Sequence, residues 1–203
     1  MTRIIAGSHR GRRLSAPTGD ATRPTTDRVR EALFSAIAAW SGRAAEAAGD
    51  SLRGLAFADL FAGSGAVGLE AASRGADAVL LVESSARAAA VTGRNIAELE
   101  LRGVVTLRVE RVERLVRGRP SRTYDVVFLD PPYGLPSTEL AEVVAAVVGN
   151  GWLEPDGLLV VERSRRTADL DWPPGFELSW RRDYGETTLL FGRASDPAGA
   201  ADA

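Results

Sequence analysis

The most restrictive stretch of this 203-residue chain is Asp59-Leu60-Phe61-Ala62-Gly63-Ser64-Gly65-Ala66-Val67-Gly68-Leu69-Glu70. A short apolar run, Leu55-Ala56-Phe57-Ala58, comes before it, and Leu69, Ala72 and Ser73 begin a helical pattern after it. The order is therefore strand, glycine-rich turn, helix. Gly63 and Gly65 permit backbone angles that a Cβ would forbid, and bare backbone lets a ligand come close. Gly68 falls in the first helical turn and lets that helix lie near the strand before it. The spacing follows the logic of G-x-G-x-x-G loops. Tight turns with several glycines and no ligand share it.

From this point the chain alternates strand and helix. Strands are expected at 55–60, 78–82, 104–109, 124–129 and 158–162, and helices at 67–74, 86–99, 112–117 and 138–148. Such alternation builds a parallel sheet covered on both faces, and the near-continuous apolar runs agree with strands buried on both sides. Two last strands, 176–182 and 187–191, flank Asp183-Tyr184-Gly185-Glu186 and add an antiparallel hairpin at the sheet edge. The class is α/β.

Composition removes several kinds of chemistry. There is no cysteine, which excludes disulfides and thiolate metal sites. One histidine, His9, is a poor basis for a structural zinc site or a serine–histidine triad, and no metal is expected. No run approaches the roughly 18 apolar residues of a membrane span, and the N-terminus has no apolar signal core. A cytoplasmic protein without a membrane partner is expected, and, with no exposed apolar helix evident, a monomer.

All 25 basic residues are arginine, a side chain that forks onto phosphate and stacks on bases. The net charge of −2 hides an asymmetry: residues 1–30 carry seven arginines against Asp20 and Asp27. A basic arm on an acidic body is a nucleic-acid footprint, although a solvated N-terminus has the same composition. In the segment that follows, Thr25 or Thr26 can cap a helix with Asp27 in its first turn. Val29, Leu33, Ile37 and Trp40 recur at helical spacing, which leaves Arg28 and Arg30 on the wet side.

Acids stand at three strand ends: Asp59, Glu83 and Asp130. An acid after the second strand of such a sheet typically holds ribose hydroxyls. Asp130 opens the tetrapeptide Asp130-Pro131-Pro132-Tyr133. Proline holds the residue before it in extended geometry, so the Asp130 carboxylate and the Pro131 carbonyl are both stiffly aimed. Two acceptors converging on an NH₂ group hold it, and Tyr133 offers a face for a flat base. A proline pair can also be a plain turn, as at Pro173-Pro174.

Together the glycine turn, Glu83 and Asp130-Pro131-Pro132-Tyr133 resemble the S-adenosylmethionine-dependent methyltransferases that modify exocyclic amines. The resemblance implies a Rossmann-like, seven-stranded class I methyltransferase sheet, mostly parallel with an antiparallel C-terminal hairpin, and S-adenosyl-L-methionine as cofactor. It assigns the acceptor site, and so catalysis, to Asp130, Pro131, Pro132 and Tyr133. Phe61, Ala62, Gly63 and Gly65 would shape the methionine pocket through their backbone, with Gly68 completing the turn. Asp59 suits this donor, because a carboxylate repels a pyrophosphate but attracts the ammonium of S-adenosylmethionine. Glu83, with Ser84 beside it, would take the ribose, and Arg111 and Val112 the adenine. Many relatives have a small polar residue and alanine where this chain has Glu110-Arg111-Val112.

A narrower resemblance follows. Arg3-Ile4-Ile5-Ala6-Gly7, Arg10-Gly11-Arg12 and Arg23-Pro24-Thr25-Thr26-Asp27-Arg28-Val29-Arg30-Glu31 are similar to the start of the RsmD-type 16S ribosomal RNA guanine-N2 methyltransferases. The similarity runs on through the glycine turn, the tetrapeptide and Gly151-Trp152-Leu153. It implies methylation of the 2-amino group of guanine 966 in 16S rRNA, within the assembled small ribosomal subunit. Arg3, His9, Arg10, Arg12, Arg13, Arg23 and Arg28 are the expected RNA contacts, which position the substrate without specifying the base. On this reading residues 1–22 form a small basic β-hairpin extension, 23–193 the methyltransferase domain and 194–203 a disordered tail.

The tetrapeptide alone does not separate guanine N2 from adenine N6 or from glutamine amides. A DNA adenine methyltransferase needs a target-recognition insert for which this chain has no room. Glutamine methyltransferases begin the acceptor loop with Asn and lack a basic hairpin. A non-catalytic RNA-binding module has no use for an intact Asp130 and glycine turn.

Overall fold

Thr26 starts the first helix, α1 (Asp27–Trp40). Its backbone is extended, and its hydroxyl accepts the Val29 N–H at 3.3 Å, which satisfies a donor that a helix N-terminus otherwise leaves open. The computed structural model describes residues 2–17, 26–132, 134–167 and 170–195. Its chain divides into two compact units, Met1–Arg111 and Val112–Ala203.

In the first unit, α1 is followed by β1 (Ala56–Asp59), α2 (Ala66–Ser73), β2 (Ala78–Glu83), α3 (Ala86–Glu98) and β3 (Val105–Val109). The strand order is β3-β2-β1. β1 and β2 pair in parallel from Ala56 opposite Ala78 to Asp59 opposite Leu81, and β2 and β3 from Val79 opposite Val105 to Glu83 opposite Val109. Each position of β1 is buried, as covering both faces requires. All eight residues of α2 are buried as well, Glu70 and Ser73 included. On α1, Val29, Leu33 and Ile37 are buried as the spacing predicts, while Trp40 is only half-buried.

The N-terminal arm belongs to this unit. Ile4 donates to the Arg12 carbonyl at 2.9 Å and Leu14 to that of Thr2 at 2.9 Å, so the two halves run antiparallel with one bridge, Arg3 to Arg13. Ile4 and Leu14 are buried, which gives a short, mostly polar segment an apolar foothold.

The second unit holds α4 (Val112–Leu115), β4 (Tyr124–Leu129), α5 (Ser137–Gly149), β5 (Leu153–Ser164), β6 (Phe176–Tyr184) and β7 (Thr187–Ala194). Its strand order is β4-β5-β7-β6; β4 and β5 are parallel, and β7 is antiparallel to both β5 and β6. β5 begins at Leu153, five residues before the sequence pattern places it. The added part is irregular: the register with β4 shifts between Tyr124 and Val126, and Asp156 takes φ 61°. The Trp152 indole donates to the Gly118 carbonyl at 2.9 Å and stacks on Tyr124, which anchors that early start. β7 continues through Ala194. Three strands in the first unit and four in the second, set between helices, are the mixed α/β class expected from the alternation and the Rossmann-like fold that the resemblance implies.

Candidate active site

The glycine turn leaves β1 at Asp59, whose side chain is 1% exposed and accepts the Gly68 N–H at 3.1 Å. That bond ties the strand end to the first turn of α2. Gly63 and Gly65 have φ +55° and +81°. A Cβ built on Gly63 meets no atom within 4 Å, whereas one on Gly68 would lie 2.1 Å from Leu81 Cδ2. The first glycine thus fronts open space, and the last makes room for helix–strand contact.

Glu83, at the end of β2, is half-buried. One carboxylate oxygen accepts the Gly63 N–H at 2.9 Å and the other the Ser85 N–H at 2.7 Å. A carboxylate has about four lone-pair sites, so two such bonds leave capacity for two hydroxyls. Ser84 beside it is exposed. Ala62 donates to the Val82 carbonyl at 2.9 Å and Glu110 to the Glu83 carbonyl at 3.2 Å. Gly65 donates to the Ala62 carbonyl at 2.7 Å, so Ala62, Gly63 and Gly65 are tied to one another or to the end of β2, and Asp59 to Gly68; Phe61 lies between them in sequence. Arg111 is exposed just after Glu110, and Val112 is only 3% exposed at the start of α4. The open face at Gly63 and the acceptor-rich Glu83 fit a ligand carrying a diol and an amino-acid end.

In the second unit, Asp130 follows β4 and is half-buried, Pro131 is buried and Pro132 exposed. The Leu135 N–H donates to the Pro132 carbonyl at 2.9 Å, and Leu135 is buried, so the second proline is held in place. Tyr133 and Arg23 lie outside the described residues.

The arm rests on α2 and α3. Glu70, fully buried, accepts the Ile5 N–H at 2.7 Å, the Ala6 N–H at 2.9 Å and Arg74 Nε at 2.8 Å. Ser73 accepts the His9 N–H at 2.9 Å and donates to the Ala6 carbonyl at 2.6 Å. Arg12 donates to the Glu98 carbonyl at 2.7 Å, and Arg3 meets Asp27 at 3.4 Å. Arg10, Arg13 and, on α1, Arg28 are exposed, and His9 is half-buried.

Arg30 corrects the sequence reading. It is not on the wet side of α1 but 0% exposed, donating to the Arg3 carbonyl at 2.7 Å and to Asp27 at 2.9 Å. Its Nε and Nη1 are buried without a hydrogen-bond partner. Burial lowers its pKa below the ordinary guanidinium value, and Glu70 and Asp27 oppose that shift. An amphipathic pattern registers apolar spacing only. It passes over a cation on the buried face next to Leu33 and Phe34.

Sequence reasoning also missed Glu70, Ser73, Thr92 and Asn95. For Glu70 and Ser73 the signal was a polar residue inside an otherwise apolar helix; Thr92 and Asn95 share the buried face of α3 with Ala89 and Ile96, and a polar group so placed needs a partner. Among the described residues, no helix is long and apolar enough to cross a membrane.

The family described as Conserved hypothetical protein 95 matches residues 2–193. Ribosomal RNA small subunit methyltransferase D of Escherichia coli (strain K12) is 36% identical over 163 residues, 79% of this chain and 73% of the relative. The YlbH protein of Bacillus subtilis (strain 168) is 33% identical over 187 residues, 91% of this chain and 95% of the relative. The solved structure of yhhF from Escherichia coli has a TM-score of 0.78 at 30% identity and covers 96% of this chain and 98% of its own.

Proposed function

The chain belongs to that family of methyltransferases, and from this membership we propose that it methylates the 2-amino group of a guanine in 16S rRNA, using S-adenosylmethionine. The observation that carries the reading is the glycine turn itself: Gly63 at φ +55° facing open space, with its N–H held by Glu83. The relative named a small-subunit rRNA methyltransferase supports an RNA substrate.

In this reading the bound donor supplies a methyl group on a sulfonium that is its own leaving group. The chain's residues bind, orient and exclude water. Phe61, Ala62, Gly63 and Gly65 hold the amino-acid end through their backbone, and Asp59 fixes the turn while adding negative charge near an ammonium. Glu83 accepts the ribose hydroxyls. The Asp130 carboxylate and the Pro131 carbonyl accept the two N–H bonds of the guanine amine, which fixes the direction of its lone pair. Tyr133 stacks on the flipped base. As the N–CH₃ bond forms and the S–CH₃ bond breaks to leave a neutral thioether, the amine becomes cationic and acidic; it then passes its proton to the Asp130 carboxylate, which need not be a strong base. The exposed arginines of the arm hold phosphates. The assembled small subunit is the proposed substrate and the cytoplasm the proposed location.

The test is incubation with methyl-labelled S-adenosylmethionine and either unmodified small subunits or free 16S rRNA, followed by mapping of the labelled nucleotide. Label on the guanine N2 of one site is expected, and its absence from Asp130→Ala. Label on an adenine, or on nothing, refutes the reading.

A further inference from the structure

Asn95 is 1% exposed, and its amide divides three hydrogen bonds between two segments far apart in sequence. Nδ2 donates to the Ser64 carbonyl at 2.9 Å, within the glycine turn, and to the Ser15 carbonyl at 3.0 Å, on the arm. Oδ1 accepts the Ser15 N–H at 2.9 Å. Three residues earlier on α3, Thr92 donates to the Gly63 carbonyl at 2.7 Å. Both turn carbonyls are thus held on one face of α3, and the group holding the second is itself held by the arm.

We infer that the arm is a working part of the donor site: through Asn95, Ser15 sets the position of the Ser64 carbonyl, and Asn95 is a positioning residue for donor binding. This rests on the donor site proposed at the turn. The physical reason is that one planar NH₂ group serves both segments. When Ser15 leaves, a buried donor and a buried acceptor lose their partners. The amide then rotates to recover them, and its bond to the turn goes with it. An arm that grips RNA therefore acts on the turn by way of the same amide.

Calorimetric titration of the full chain with S-adenosylhomocysteine, without RNA, tests this. Ser15→Pro removes one exposed residue's N–H and leaves α3 intact; Asn95→Ala removes the shared amide. Each is expected to weaken binding about fivefold or more, the low end of ordinary site-to-site coupling. The double variant should be no weaker than the weaker single. Deuterium uptake in Ser15→Pro should rise over 61–69 and stay unchanged in β2, a local effect that general loosening would not give. Unchanged affinity in Ser15→Pro, or additive losses in the double variant, overturns the inference and leaves the donor site standing. A native chain that binds no S-adenosylhomocysteine overturns both.

Discussion

Gly68 and Leu81 touch where a side chain cannot fit: a Cβ on Gly68 would lie 2.1 Å from Leu81 Cδ2, with Val79 Cγ1 at 3.1 Å. The two glycines at the ends of the turn thus serve different ends, and substitution separates them. Gly68→Ala forces α2 off β2. An overpacked core costs about 1 to 3 kcal/mol, so a clear fall in the urea midpoint is expected. Gly63→Ala meets no atom within 4 Å. It pays only the left-handed backbone strain, roughly 1 to 2 kcal/mol, but places a methyl group on the open face. It should lose more donor affinity than Gly68→Ala loses. If the two variants show the same ratio of stability loss to affinity loss, the open face is not a binding face.

Glu83 holds Gly63 and Ser85 with separate oxygens. Glu83→Gln sets an NH₂ group against one of those N–H groups, and only one acceptor remains for both the turn and a ribose. Donor affinity should fall about tenfold, ~1.4 kcal/mol, with a smaller change in kcat at saturating donor. Calorimetry with S-adenosylhomocysteine and a donor-dependence of the rate measure the two separately. A fall in kcat at unchanged affinity would move Glu83 out of the donor site.

Glu70 neutralises Arg74 at the C-terminal end of α2 and holds two arm N–H groups, and Arg74 in turn lies over the Phe34 ring at 4.8 Å. Removing one partner of a buried ion pair leaves an uncompensated charge and costs roughly 3 to 5 kcal/mol. Glu70→Ala should therefore destabilise by that order and release residues 5–9 to rapid hydrogen exchange. A loss under about 1 kcal/mol would mean that water or movement of Arg74 replaces the carboxylate.

How much of this could be read in advance depended on whether a residue's role is local. Strand alternation and the glycine turn follow from nearest-neighbour pattern, and both the class and the turn are as the sequence implies. The apolar run marks β5 only from Leu158, because the Glu154–Gly157 stretch before it is polar and irregular, with Asp156 at φ 61°. Asn95 and Ser15 are 80 residues apart in sequence, and Glu70 and Ile5 are 65 apart. No local spacing links such pairs. Arg30 differs for another reason: its partners, the Arg3 carbonyl and Asp27, are backbone and charge, which hydropathy does not register.

The arm's charges supply the last test. Arg3 and Arg12 are engaged with Asp27 and the Glu98 carbonyl, whereas Arg10 and Arg13 stand exposed on the same segment. If those two grip phosphates, each releases counterions on binding, and the slope of log affinity against log salt falls by about one for each arginine removed. Arg10→Ala with Arg13→Ala should therefore weaken binding to a 16S rRNA fragment at low salt, converge with the native chain as salt rises, and leave S-adenosylhomocysteine binding unchanged, because both side chains are exposed and the arm's bonds to Asn95 come from Ser15. A salt slope equal to that of the native chain would take the arm off the RNA.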